Sequence, residues 1–167
     1  VEFVRILARG HLLLCFAVAA ACGPSPLAST QPSSDALARE VLAALAQRNE
    51  GRLRELALNE EEFKRHVWPD LPAARPERNL PFSYVWGELR QKSEMALRQT
   101  LRTHGGLPYQ LQGVRFAGQT TDHGHYRVHR ETVLVVRDGE GKTSELRMFG
   151  SMLEMGGRWK VFSYVVD

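Results

Sequence analysis

The residues best suited to chemistry cluster at Asp122-His123-Gly124-His125, with His129 four positions further on. Two histidines separated by one residue share a face of an extended strand, about 6.6 Å apart at roughly 3.3 Å per residue. A pair at that spacing can chelate one metal ion. His129 would lie about 13 Å along the same strand, too far to complete the site. Gly124 marks the segment as a turn, so solvated turn histidines are the expectation and no metal or other cofactor is assigned.

Arg130 and Glu154 stand out because each interrupts an apolar alternation. Arg130 falls within Tyr126, Val128, Thr132, Leu134 and Val136, and Glu154 ends Leu146, Met148 and Met152. If these faces line a cavity, the two charges pair or hold an anionic ligand. If a bulge shifts the register, both turn to solvent. His66, Trp68 and Asp70 have the composition of an acid–base edge, although a histidine near a helix C-terminus commonly compensates the helix dipole. Trp68, Tyr84 and Trp86 offer flat faces for a ring-shaped ligand, with ordinary core packing as the competing expectation. The chain has no G-x-S-x-G nucleophile context and no phosphate-binding loop, so no catalytic residue is assigned.

The elements that must position these side chains follow from periodicity. Ser34 or Asp35 caps a first helix whose Leu37, Val41, Ala44 and Leu45 form one apolar stripe. Gly51 interrupts it, and Leu53 and Leu56 continue a shorter turn. Asn59 and Glu62 have capping-box spacing ahead of Phe63 and Val67, and Trp68-Pro69 ends that helix. Residues 69–81 hold four prolines and form an ordered connector. A longer helix runs from Pro81 and Ser83 through Trp86, Leu89, Ser93, Ala96, Leu97 and Leu101 until Gly105-Gly106 stops it. From Leu107 the period falls to two. Four strands are expected: one around 109–116 with a bulge near Gly113, one over 126–136, one over 146–155 bent at Gly150, and one from Trp159. Both faces of the last strand are apolar or aromatic, which predicts a central or well-covered position. Helices followed by consecutive antiparallel strands give the α+β class, with N-terminal helices on a curved four-stranded antiparallel sheet.

The N-terminus carries a different signal. Arg5 and Arg9 precede an apolar run of ten residues, 12–21, followed by Cys22. As a helix the run is about 15 Å long, half of a roughly 30 Å hydrocarbon layer, which suits the core of a signal peptide better than a membrane span. Ala19-Ala20-Ala21-Cys22 resembles the lipobox of a bacterial lipoprotein. That resemblance implies a signal peptide over 1–21, diacylglyceryl transfer to Cys22, cleavage before it, and acylation of its amine by a chain such as palmitate. Gly23, in place of an aspartate that would favour inner-membrane retention, implies the outer membrane, facing the periplasm. The competing reading is an ordinary secretory peptide cut after Ala21. Residues 22–34, rich in proline and serine, read as a flexible tether, and 35–167 as one domain. The two cysteines are Cys15 and Cys22, so the domain must hold together without a disulfide.

Gly157-Arg158-Trp159-Lys160-Val161 is similar to the closing strand of nuclear-transport-factor-like (cystatin-like cone) domains: a glycine turn, then G-x-W-K and an aromatic strand. The resemblance implies a curved sheet wrapped on helices around a conical pocket. Some members, such as ketosteroid isomerases and dehydratases, place a carboxylate with tyrosine or histidine there; many others only bind. The proline-rich 69–81 stretch replaces the family's usual hairpin between helices, and a simpler cystatin-like helix-on-sheet is the alternative topology. A net charge of +3 and the lack of any basic run argue against nucleic acid as a partner. The function expected is that of a lipid-anchored, non-enzymatic envelope protein binding a protein partner or a small apolar ligand. The rival is a small cone-pocket enzyme, isomerase- or hydrolase-like, using His66, His129, Glu154 or Asp70.

Overall fold

The computed structural model describes residues 27–166. The signal segment and Cys22 lie outside the described residues. The fold is α+β, with four helices and two antiparallel sheets.

Helix α1 (Ser34–Ala46) starts one residue earlier than a Ser34 cap would place it. Ser33 is the cap, its side chain accepting the Ala36 N–H at 3.1 Å. Leu37, Val41, Ala44 and Leu45 are all buried, as their stripe requires. Gly51 does not interrupt but lies inside α2 (Glu50–Leu56), which Asn49 caps. The Asn59–Glu62 capping box forms at the head of α3 (Glu60–Glu62), and a π turn (Phe63–Val67) continues it. Pro69 falls in the 3₁₀ turn Trp68–Asp70 that ends this run. Two further 3₁₀ turns, each begun by a proline, order the connector. Helix α4 (Phe82–His104) then runs for 23 residues.

The expected four strands are seven. Strand β1 (Gln110–Phe116) carries the register shift anticipated at Gly113, and a short β2 (Thr121–Asp122) forms where only a turn was expected. The long second strand is two, β3 (Tyr126–His129) and β4 (Thr132–Arg137). They separate at Arg130-Glu131, where Glu131 adopts a left-handed φ of 52°. The third is likewise two, β5 (Thr143–Leu146) and β6 (Ser151–Met155). The last strand is β7 (Arg158–Ser163). The two breaks lie opposite each other, joined by Thr132 N–H donating to the Gly150 carbonyl at 2.8 Å. Both arms of the hairpin therefore change sheets together, giving the orders β1-β4-β5 and β2-β3-β6-β7. Gly150 is required at this corner because a Cβ there would sit 1.8 Å from the Val165 carbonyl oxygen.

Strand β7 ends the four-stranded order, yet its outer edge is covered. Gln31 and Trp159 exchange two backbone hydrogen bonds at 2.9 and 2.8 Å, and Leu58 N–H donates to the Val161 carbonyl at 2.9 Å. An otherwise open row of donors and acceptors is thereby closed. This corrects the reading of 22–34 as a free tether: from Leu27 onward the segment is docked. Leu27 is 2 % exposed, Arg158 donates to both the Thr30 hydroxyl and its carbonyl, and Lys160 donates to the Ala28 carbonyl. Composition shows that a segment has little apolar area of its own; it does not show that a strand edge waits for its backbone.

The four-stranded sheet has apolar matter on both faces. Met152 and Val161 pack with α1, α2 and Leu97 of α4. Tyr126, Val128, Leu153, Met155 and Phe162 face the other way, toward Phe63, Val67 and Trp86.

Candidate ligand-binding site

Helix α4 lays Trp86, Leu89, Ser93 and Leu97 toward the sheet at helical spacing, and a cavity opens on either flank. The larger, about 410 Å³, is bounded by Lys92 and Leu89 of α4, by Val67 and Leu71, and by Tyr126, Val128 and Arg130. Those last three alternate along one run of chain and so share a face. The smaller, about 270 Å³, is lined by Trp86, Leu97, Ser93 and Tyr164 among others. Arg54 and Glu94 also line it and pair with each other, guanidinium nitrogens 2.9 and 3.0 Å from the two carboxylate oxygens. That guanidinium holds the Glu94 carboxyl below its ordinary pKa. Leu89, Phe162 and Ser163 border both cavities.

Tyr126 is the unusual group of the larger cavity. It is 2 % exposed, and its hydroxyl has no hydrogen-bond partner among the described residues. Burial, with the negative charge of Asp70 adding to it, pushes the phenol up to about 12. It therefore keeps its proton at neutral pH and remains able to donate. The His123 ring stacks on Tyr126 at 4.5 Å, and the His125 ring meets it edge-on at 4.8 Å. His125 Nε2 also lies 3.2 Å from the His66 carbonyl and 3.7 Å from Asp70. The histidines of the 122–125 turn thus wall the tyrosine, and no group of three or more metal-ligating side chains occurs among the described residues. Of the nearby cations, Lys92 stands 3.7 Å from Glu88 on its own helix, and Arg130 has no ion pair among the described residues.

Arg130 and Glu154 are not brought together. Arg130 faces the cavity, whereas Glu154 projects from the opposite face of the sheet. There it takes a 3.0 Å hydrogen bond with His129 Nε2 and lies 3.6 Å from Arg127. His129 Nδ1 meets the Thr120 hydroxyl at 3.1 Å, and its ring lies between Phe116 and Trp159 at 4.8 and 4.7 Å. This histidine–carboxylate pair lines neither cavity on α4. Nor do the three aromatics form one site. Trp86 is buried against Phe63 at 5.2 Å and lines the smaller cavity. Trp68 meets Phe82 edge-on at 5.6 Å, and Tyr84 is 59 % exposed.

Sequence reasoning passed over Tyr126 and Lys92 as site residues. The alternation of Tyr126, Val128 and Arg130 was visible, but an unpaired hydroxyl is a property of surroundings. Lys92 reads as an ordinary exposed helix lysine until α4 is laid on the sheet.

The chain has no match among protein-family models, curated proteins or solved structures. No helix among the described residues is long and apolar enough to cross a membrane.

Proposed function

We propose that this chain is a bacterial lipoprotein, fastened through acylated Cys22 to the periplasmic side of the outer membrane. Its domain, a cone-like relative of the nuclear-transport-factor-like group, serves to bind a small apolar ligand. The observation that carries the binding role is a cavity of about 410 Å³ walled in part by Tyr126, whose buried hydroxyl has no partner among the described residues. A buried hydroxyl left unsatisfied costs about 1–3 kcal/mol, which a ligand oxygen reaching it on a small shift of the ring would recover. The volume falls within the range of small-molecule sites, and the wall is apolar apart from a few polar groups. The rival enzymatic reading draws on His66, His129, Glu154 or Asp70; His129 and Glu154 are on the far face of the sheet from this cavity, and Asp70 is 3.7 Å from His125 and acts on the Tyr126 phenol.

Two measurements test the proposal. The neutral apolar fluorophore N-phenyl-1-naphthylamine should bind with one-to-one stoichiometry. Val128→Phe, which fills the cavity wall, should abolish the signal while a thermal melt shows the variant folded. The absence of any wild-type signal would refute the binding role. For the anchor, Cys22→Ser should move the protein from the membrane fraction to the soluble periplasm; retention in the membrane fraction would refute lipidation.

A further inference from the structure

The two cavities that Leu89 and Phe162 both border have different characters and a common wall. The charged side chains that line the larger one are both cations, with Asp70 close enough to act on the Tyr126 phenol from behind the wall. Arg130 has no ion pair among the described residues, Lys92 has only an exposed glutamate at 3.7 Å, and Tyr126 forms part of the same wall. The smaller is apolar at Trp86, Leu97 and Phe162, and its charged lining is balanced, with Arg54 paired to Glu94 and with Glu60 and Arg90 besides. Trp86 also has a buried indole N–H without a partner. Between the cavities stand Leu89 and Phe162, both only half-buried. Joining the two spaces calls for a rotation of one such side chain between staggered wells.

We infer that the cavities are the two halves of one elongated site for a single-chain amphiphile with an anionic head. The head sits between Lys92 and Arg130, on the wall that Tyr126 helps to form. The chain passes Leu89 and Phe162 and ends beside Trp86. This rests on the binding role proposed above and specifies the ligand for it. A small inorganic anion would leave the apolar wall of Val67, Leu71 and Val128 unused, and a neutral hydrocarbon would leave two cations and a hydroxyl unanswered. The passage is bounded by one leucine and one phenylalanine, which suits a single chain.

The test is calorimetric titration of the full chain, freed of co-purified lipid, with octanoate, decanoate and dodecanoate and with the 1-alkanols of equal length. Each methylene added should tighten carboxylate binding about fourfold, and each acid should bind at least tenfold more tightly than its alkanol. Arg130→Gln combined with Lys92→Gln should remove the preference for the acid and leave the alkanols unchanged. Leu89→Trp, which obstructs the passage, should abolish the gain with length. A readout on unaltered protein covers the case in which that variant does not fold: 12-bromododecanoate should quench tryptophan fluorescence, and Trp86→Phe should remove the quenched component. Alkanols binding as tightly as acids would overturn the anionic head while leaving the binding role intact. A length gain that survives Leu89→Trp, or bromine quenching that persists without Trp86, would overturn the joined site. Failure of the acids, the alkanols and the naphthylamine alike would remove this inference and the binding role together.

Discussion

Lys160→Met should be among the most damaging single substitutions in the domain. Lys160 and Glu62 have side chains 1 and 7 % exposed. The ammonium uses all three of its protons, on the Glu62 oxygens at 2.8 and 2.7 Å and on the Ala28 carbonyl at 2.8 Å. Burial pushes its pKa below the usual lysine value, and Glu62 opposes that shift. The carboxylate also accepts the Ala28 and Asn59 backbone N–H groups at 2.8 and 3.0 Å. Breaking a buried pair from one side typically costs about 3–5 kcal/mol, because a charge is left uncompensated. Removing the lysine leaves Glu62 with two backbone donors, so the lower end, about 3 kcal/mol, is expected. Glu62→Leu should cost more, about 5 kcal/mol, since the ammonium keeps one carbonyl and the capping box is lost as well. Stabilities of ordinary domains are only about 5–15 kcal/mol, so Lys160→Met is the safer variant to measure. The assay is a urea melt of the full chain followed by tryptophan fluorescence, completed as a double-mutant cycle with Glu62→Leu. The double variant should lose no more than the worse single, which corresponds to a coupling of at least about 3 kcal/mol. Amide exchange offers a second reading, because the docked 27–31 segment loses a hydrogen bond to Lys160 and Ala28 N–H should lose protection. Stability of Lys160→Met within about 0.5 kcal/mol of wild type would refute the reasoning, since surface-like substitutions behave that way.

Gly150→Ala drives a methyl carbon against the Val165 carbonyl at the corner where the hairpin changes sheets, and should destabilise by about 3 kcal/mol; a urea midpoint equal to wild type would show that the corner can open freely. Burial lowers the His104 imidazole pKa below the ordinary histidine value of about 6.5, with Nδ1 held 3.0 Å from the Tyr109 hydroxyl. The unfolded chain then takes up that proton before the folded one does. Stability is therefore full above pH 6.5 and declines as pH falls from there toward the lower folded-state pKa. His104→Asn should flatten that part of a Tm-against-pH profile, and an unchanged slope in the variant would assign the effect elsewhere.

Local features were determined by the sequence alone. The stripe of α1, the capping box at Asn59 and Glu62, the reach of α4 to the glycine pair, the bulge at Gly113 and the α+β order all depend on neighbours within a turn or two. Periodicity and capping chemistry report such neighbours directly. The tertiary structure alone decided that two continuous alternations would break and change sheets. At 130–131 no glycine or proline signals the break, and Glu131 is held at a positive φ by the surrounding backbone pairing. It also decided that a serine- and proline-rich segment would cover the edge of β7, and that Arg130 and Glu154 would face opposite ways. The α4 cavities, with the buried Tyr126 hydroxyl and Trp86 indole left unpaired, belong to the same class. Whether a polar atom is satisfied depends on groups brought from 30 or more positions away, as from α4 to β3, and no local pattern in a chain encodes that distance.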